Sequence, residues 1–150
     1  MLRLSKLTDY AVVVLVRLSR ADEVQTSPGI AAATGIPEPT VAKVLKALAG
    51  AGLVASQRGA RGGYRLTRPL GAIAVSDVIA AIDGPIALTA CVDSSGQCEV
   101  ERICSVRGRW NPVNDAIQQA LSAITLADMR GAAQPWPYRA AAPAPLPAAE

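Results

Sequence analysis

The chain has 150 residues and a formal net charge of +3, and only 3% of its residues are aromatic, with no Phe at all. This length fits one domain, or one small domain with an attached helix and tail. The core must be built from Leu, Ile, Val and Ala, which leaves little for stacking bases on aromatic side chains.

The positive charge is concentrated in the first half of the chain. Residues 1–68 carry ten Lys or Arg against four Asp or Glu, a net charge of +6, whereas residues 69–150 carry five against eight, a net charge of −3. A basic half of this kind is typical of a nucleic-acid-binding protein. An ordinary solvated surface is the alternative for this feature taken alone.

Targeting signals are not evident in the sequence. Lys6 and Asp9 interrupt the start, no small-residue cleavage site follows, and the apolar run 10–16 is too short to span a bilayer. Three cysteines, an odd number, argue against a disulfide framework. We therefore expect a cytoplasmic protein with no membrane association.

The first predicted helix begins directly after Thr8 and continues to about Arg20. Thr8 is its predicted N-cap, and Asp9 lies in the first turn, where the helix dipole favours an anion. The β-branched run 11–16 would also suit a buried strand, but the apolar stripe continues with helical spacing to Leu18, which favours a helix.

Two further helices form a predicted helix-turn-helix. Ser27-Pro28 begins the first and Gly35 ends it, and the second opens at Pro37 and ends at Gly50. The second helix has a core-facing stripe at positions 41, 44, 45 and 48. Its opposite face carries the candidate DNA contacts Thr40, Lys43 and Lys46. Any solvated helix face might carry two lysines, so this feature alone is a weak signal.

A basic hairpin follows directly. Residues 53–57 and 64–66 read as two short strands, separated by the Gly- and Arg-rich turn 58–63. A hairpin after a helix-turn-helix predicts a winged helix, within a mainly α fold. Arg58 and Arg61 are candidates for contacts with phosphates or the minor groove. A plain surface hairpin is the alternative, but helix pair, wing and charge together favour DNA binding.

The predicted winged domain covers residues 1–83, where a helix starting at Ser76 is broken by Asp83-Gly84-Pro85. A cysteine loop follows at 84–106. The segment 107–130 is predicted to hold a long amphipathic dimerisation helix, which begins at about Asn111-Pro112, or at Arg107 at the earliest, and continues to near Met129. Its apolar seam contains Val113, Ile117, Ala120, Leu121 and Ile124. We expect this helix to join two copies of the chain into a homodimer, with packing inside its own chain as the alternative.

Residues 131–150 are Ala- and Pro-rich, which predicts a disordered tail.

All three cysteines, Cys91, Cys98 and Cys104, fall within fourteen residues of this loop. Thiolates are soft ligands suited to iron–sulfur clusters, zinc and copper(I). The spacing Cys-x6-Cys-x5-Cys is looser than that of zinc knuckles, and the chain contains no histidine. A bound centre would therefore have three sulfur ligands and a fourth ligand of another kind. Reactive or buried thiols without a metal are the alternative.

The opening residues 1–11 and the wing 54–64, together with residues 73–79, the cysteine loop and residues 124–128, carry a family resemblance. They resemble the IscR/NsrR/RirA-like family of winged-helix regulators that sense iron–sulfur clusters, most closely the regulators of the SUF cluster-assembly operon. This resemblance implies a homodimer that binds double-stranded operator DNA and represses or activates cluster-assembly genes. It also implies a 2Fe–2S or 4Fe–4S cofactor.

By this resemblance Cys91, Cys98 and Cys104 match the three cluster-ligating cysteines. Residues 105–107 lack the histidine that part of the family uses, whereas Asp9 matches an aspartate that ligates from the other subunit. Asp9 is thus the expected fourth ligand, and Glu99 and Glu101 are the second choices; helix N-terminal electrostatics is the other role open to Asp9. Ala42 stands where IscR, the cluster-assembly repressor of this family, has a DNA-reading glutamate, so the operator sequence of IscR is not expected for this chain.

Three functions follow in decreasing order of support. The first is a cluster-sensing transcription regulator. The second is a DNA-binding regulator whose cysteines form a thiol redox switch or a zinc site. A small thiol oxidoreductase is disfavoured, because the sequence has no histidine base, no Cys-x-x-Cys motif and no phosphate-binding loop.

Overall fold

The computed structural model describes residues 3–92 and 103–131 of the chain. The described residues form, in chain order, α1 (Lys6–Leu18), α2 (Ser27–Thr34), α3 (Glu38–Gly50), β1 (Val54–Gln57), β2 (Gly63–Leu66), a 3-10 turn (Leu70–Ala72), α4 (Val75–Asp83), α5 (Asn111–Ser122) and α6 (Leu126–Arg130). This arrangement confirms the predicted mainly α fold with a small two-stranded wing. Cys98, Glu99, Glu101 and the predicted tail from residue 132 lie outside the described residues.

The core is aliphatic, as the composition predicted. Helices α1, α3 and α4 pack against one another. Their buried faces contribute Leu15, Leu45 and Val78, all fully buried, and the apolar stripe predicted for α3 is buried along its whole length. Helical spacing of apolar residues thus places one face of each helix in a shared core. No helix in the described ranges has the length and apolar character needed to span a bilayer.

The start of α1 differs from the prediction. Ser5, and not Thr8, is the N-cap, because its side chain accepts a hydrogen bond from the N–H of Thr8 at 3.2 Å. Thr8 lies in the first turn and is buried, and its hydroxyl donates to the Asp83 carboxylate at 2.6 Å. The sequence shows two capping hydroxyls three residues apart, and the tertiary contact with Asp83 decides which one caps.

The wing is an antiparallel pair in which Val54 faces Leu66 and Gln57 faces Gly63. Gln25, just before α2, extends the sheet by pairing with Tyr64 through backbone hydrogen bonds of 2.9 and 2.8 Å. A Cβ at Gly63 would lie 2.6 Å from the Gln25 carbonyl oxygen, so this position requires glycine. The Gln25 side chain also donates to the last carbonyls of α1, which fixes the base of the wing to that helix.

The prediction of one continuous helix through the segment 107–130 is wrong, although the predicted start near Asn111 is confirmed. Residues 105–110 form turns, α5 begins at Asn111, and the helix ends at Ser122 before α6 starts at Leu126. Between α5 and α6 the chain pairs with the residues before α4. The N–H of Val75 donates to the Ile124 carbonyl at 2.9 Å and the N–H of Leu126 donates to the Ile73 carbonyl at 2.9 Å.

These bridge-type hydrogen bonds replace the helical ones between α5 and α6. A capping box at the start of α6 also favours two separate helices. Thr125 caps α6, with its hydroxyl accepting from the N–H of Asp128 at 3.3 Å and its own N–H donating to the Asp128 carboxylate at 2.8 Å. The N–H of Thr125 and that of Leu126 thus find partners outside α5. This Thr-x-x-Asp capping box is visible in the sequence. It was overlooked because the predicted apolar seam continued to its first residues.

The Asp83 carboxylate joins the last turn of α4 to the first turn of α1. It accepts the Thr8 hydroxyl at 2.6 Å and the N–H of Ser5 at 3.3 Å. Burial acts to raise the pKa of Asp83, but these hydrogen bonds outweigh it and hold the pKa below its ordinary value of 3.8. The ionised carboxylate therefore stabilises the fold, and its contribution is lost as the pH falls through the lowered folded-state pKa.

We expect Thr8→Val to lower the free energy of unfolding by about 1 kcal/mol at neutral pH, since it removes the hydroxyl that donates to Asp83 and contacts the Ser5 hydroxyl, at nearly constant side-chain volume. The loss should shrink as acid protonates Asp83. Urea denaturation followed by circular dichroism, at a series of pH values, measures both effects. In an Asp83→Asn background the same substitution should cost less, and an equal cost in both backgrounds would contradict the assigned contact.

Candidate nucleic-acid interface and thiol site

Helices α2 and α3 form the predicted helix-turn-helix. Gly35 ends α2 in the left-handed conformation, with φ 74°, a backbone geometry that favours glycine. Helix α3 begins at Glu38 after Pro37 and buries one face in the core. On its outer side Lys43 and Lys46 are exposed and Thr40 is half-buried. The structure therefore leaves the two lysines accessible to a DNA duplex and keeps Thr40 closer to the protein.

The wing presents further positive charge. Arg58 and Arg61 are both exposed on the turn between β1 and β2. Arg65, within β2, is also exposed, whereas its neighbours Tyr64 and Leu66 pack against the core. Sequence analysis missed Arg65, although the period-two alternation of a strand next to two core-facing residues would have placed it on the outer face.

The described thiols lie at the two ends of the cysteine loop. Cys91 and Cys104 are both free and half-buried. Cys91 is within 3.1 Å of the Thr89 hydroxyl, in a turn closed by a hydrogen bond from the N–H of Val92 to the Thr89 carbonyl. Cys104 begins a turn in which its carbonyl accepts the N–H of Arg107 at 3.3 Å.

Cys91 borders a polar cleft of about 680 Å³ next to α4 and α5. The residues that line it include Ser76, Asp77, Asn111, Asn114, Asp115, Gln118 and Ser122. Cys91 is thus partly exposed beside this cleft. The buried amide of Asn114, which sequence analysis missed, connects α5 to the backbone that leads to Cys91.

Asp9 is exposed in the first turn of α1. Within the two described ranges, no three side chains of the His, Cys, Asp or Glu type come together as a metal site. One chain therefore does not bring its own Asp9 together with Cys91 and Cys104. Ligation by Asp9 from a second copy stays a prediction.

Comparison with known proteins decides the family. A family model described as Rrf2, an iron-dependent transcriptional regulator, matches residues 4–131. The chain belongs to the Rrf2 family. This confirms the resemblance seen in the sequence. Rrf2 regulators are non-enzymatic DNA-binding proteins, so this chain is a DNA-binding transcriptional regulator and not an enzyme.

Individual Rrf2 relatives agree with this assignment. The transcriptional regulator IscR of Enterobacter sp. (strain 638) is 31% identical over 130 residues, which cover 85% of this chain and 79% of that protein. The solved structure of CymR, the global cysteine regulator of B. subtilis, superimposes with a TM-score of 0.66 at 28% identity, covering 87% of this chain and 97% of CymR. The structure of T. potens IscR gives a TM-score of 0.62 at 30% identity, covering 85% of each chain.

For this Rrf2 protein, Arg58→Ala and Arg61→Ala should weaken binding to a random-sequence DNA duplex. Each lost phosphate contact should reduce the slope of log affinity against log salt concentration by about 0.9. Fluorescence anisotropy across a salt series measures the slope. Arg130→Ala is the control, because it removes the same charge from α6, which packs against α1 and the 3-10 turn. An unchanged slope in both wing variants would remove these arginines from the interface.

Proposed function

We propose that this Rrf2 regulator senses an iron–sulfur cluster held by Cys91, Cys98 and Cys104, with Asp9 of the partner subunit as the fourth ligand. The main support is the pair of free, half-buried thiols of Cys91 and Cys104 in a chain that has no histidine. The family description as an iron-dependent regulator agrees with this proposal.

The donor chemistry fits the proposed cofactor. Cys91 and Cys104 are soft ligands, are not consumed in disulfides, and are partly shielded from water. A 2Fe–2S or 4Fe–4S cluster would supply a centre that is sensitive to oxygen, iron supply or redox state. A carboxylate as fourth ligand, in place of a cysteine, is consistent with a centre that is lost readily and can therefore report on its surroundings.

Helix α4 connects the thiols to the DNA-binding elements. The segment from Gly84 to Cys91 follows its last turn, and the helix itself packs against α1, α3 and α5. Asp83 ties its end to α1. We propose that ligand occupancy at Cys91 shifts the population of α4 positions and so changes the placement of α3 on DNA.

A homodimer is the second part of the proposal. Near α5, Ile103, Val106, Trp110 and Val113 are all large, apolar and exposed, and they recur at intervals of three and four residues. Only Val113 lies within α5, and the other three lie in the residues that lead into it. Several large apolar side chains exposed at one end of a helix are typical of a surface that binds another protein. Two copies joined here would present two α3 helices to a palindromic DNA site.

Val113→Glu places a charge in the proposed interface and should convert the dimer to a monomer. Affinity for operator DNA should fall at least about tenfold, since one half-site would be lost. Size-exclusion chromatography with light scattering measures the mass. Gln119→Glu, which adds the same charge at an exposed α5 position outside this apolar surface, should remain dimeric. A dimeric Val113→Glu protein would place the interface elsewhere.

Anaerobically purified or reconstituted protein should absorb visible light and contain iron and sulfide. Cys98→Ala should abolish the absorbance, and Asp9→Ala should leave a cluster that is lost faster in air. Ser105→Ala, next to Cys104 but not a proposed ligand, should behave as the wild type. Wild-type protein that stays colourless and takes up no iron on reconstitution would rule out the cluster.

A thiol redox switch is the second candidate. It is favoured by the likeness to CymR, the global cysteine regulator of B. subtilis, and by the partial exposure of Cys91 beside the polar cleft. The third possibility is that the same thiols bind zinc. Metal analysis of freshly isolated anaerobic protein separates the three, because a switch carries no metal and shows reversible cysteine oxidation by mass spectrometry.

We further propose that the target genes are those of SUF cluster assembly, and that the protein acts in the cytoplasm. The support is the resemblance of residues 1–11 to the openings of SUF regulators. Because Ala42 stands where the cluster-assembly repressor IscR has a DNA-reading glutamate, the operator must be mapped directly. Footprinting on the promoter upstream of the SUF genes provides that map, and absence of protection there would reject this target while leaving cluster sensing open.

A further inference from the structure

Asn114 is one of two polar side chains, with Thr8, that are buried in the described part of the chain. It lies on α5 with 4% of its surface exposed. Its side-chain amide donates to the carbonyl of Ile86 at 3.1 Å, and its side-chain oxygen accepts the N–H of Leu88 at 3.1 Å. One amide thus pairs with two backbone groups on a distant segment, as a neighbouring strand would do.

The segment held in this way leads directly to a thiol. Ile86 packs against the core, and only two residues separate Leu88 from Cys91. The turn that follows fixes the remaining distance, through the hydrogen bond from Val92 to Thr89 and the contact of the Thr89 hydroxyl with the Cys91 sulfur. The position of Cys91 relative to α5 therefore depends on Asn114.

Packing alone does not account for an amide at this position. A buried polar group is costly unless it is hydrogen-bonded, and an apolar side chain of similar size would leave the Ile86 carbonyl and the Leu88 N–H without partners. Asn114 also borders the same polar cleft as Cys91. Asn114 therefore holds the backbone before Cys91 in one place.

We infer that Asn114 is a positioning residue for the ligand site of the cysteine loop, fixing Cys91 against α5 so that its thiol is held ready for ligation. The identity of the ligand rests on the proposed function, whereas the placement of the thiol does not. Because α5 carries part of the proposed dimer face, Asn114 also links the thiol to the subunit interface.

The test begins with reduced, metal-free, full-length protein. A timed pulse of iodoacetamide, followed by mass spectrometry, gives separate alkylation rates for Cys91 and Cys104. Asn114→Ala should increase the rate at Cys91 about tenfold, because the released backbone opens locally, and the rate at Cys104 should change far less. Gln119→Ala removes an exposed amide from the same helix and should leave both rates unchanged.

Asn114→Asp provides a conservative variant that also serves if Asn114→Ala fails to fold. Its carboxylate still accepts from Leu88 but opposes the Ile86 carbonyl, so the Cys91 segment should open at neutral pH. A protonated carboxyl can both accept and donate, as the amide does. Hydrogen exchange of the peptide containing Leu88 should therefore approach wild-type protection in acid, whereas the protection of wild-type protein should not show this pH-dependent recovery.

After anaerobic reconstitution with iron and sulfide, the Asn114 variants should show an altered visible circular dichroism spectrum and several-fold faster loss of the chromophore. Unchanged Cys91 alkylation in folded Asn114→Ala and Asn114→Asp proteins overturns the inference, even if the wild type binds a cluster. Faster alkylation in a protein whose wild type takes up no iron supports the positioning role and rejects only the cluster.

Discussion

Helix α4 is held along one buried face and at both ends, and the neighbouring helices pack around it. The helix is buried against α1 and α3, with Val78 fully enclosed. Its start is held by the hydrogen bond from Val75 to Ile124, and its end by the hydrogen bond from Thr8 to Asp83. A nine-residue helix is too short to be stable alone, so these tertiary contacts define where it begins and ends.

Two functional parts meet on this helix. On one side α3 packs against it and presents Lys43 and Lys46 outward; beyond its last turn the chain continues to Cys91. An ion pair of 2.9 Å between Arg68 and Asp77 adds a surface link between the end of the wing and the first turn of α4. It is exposed and contributes little to stability. The same helix is therefore adjacent to both the proposed sensor and the DNA-binding elements.

The departures from prediction share a physical cause. Ser5 displaced Thr8 as the N-cap because Thr8 found a partner 75 residues away in the sequence. The helix predicted over 107–130 ended at Ser122 because the backbone near residues 124–126 paired with the residues before α4. Asn114 was overlooked since its hydrogen-bond partners lie 26 and 28 residues earlier. In each case a polar group could form a hydrogen bond with a residue nearby in the sequence or with one far away. The pattern of neighbouring residues does not reveal the distant partner.

The helix-turn-helix, the wing and the family could all be predicted before any tertiary contact was known. These features rest on local signals: the apolar stripe of α3, the left-handed turn at Gly35, and the glycines and arginines between β1 and β2. Tertiary contacts were needed to show that residues 124–126 pair with the residues before α4, which separates α5 from α6, and that Asn114 holds the segment before Cys91. Periodicity specifies which face of an element is buried, but the partners of its polar groups depend on which elements the whole fold brings together.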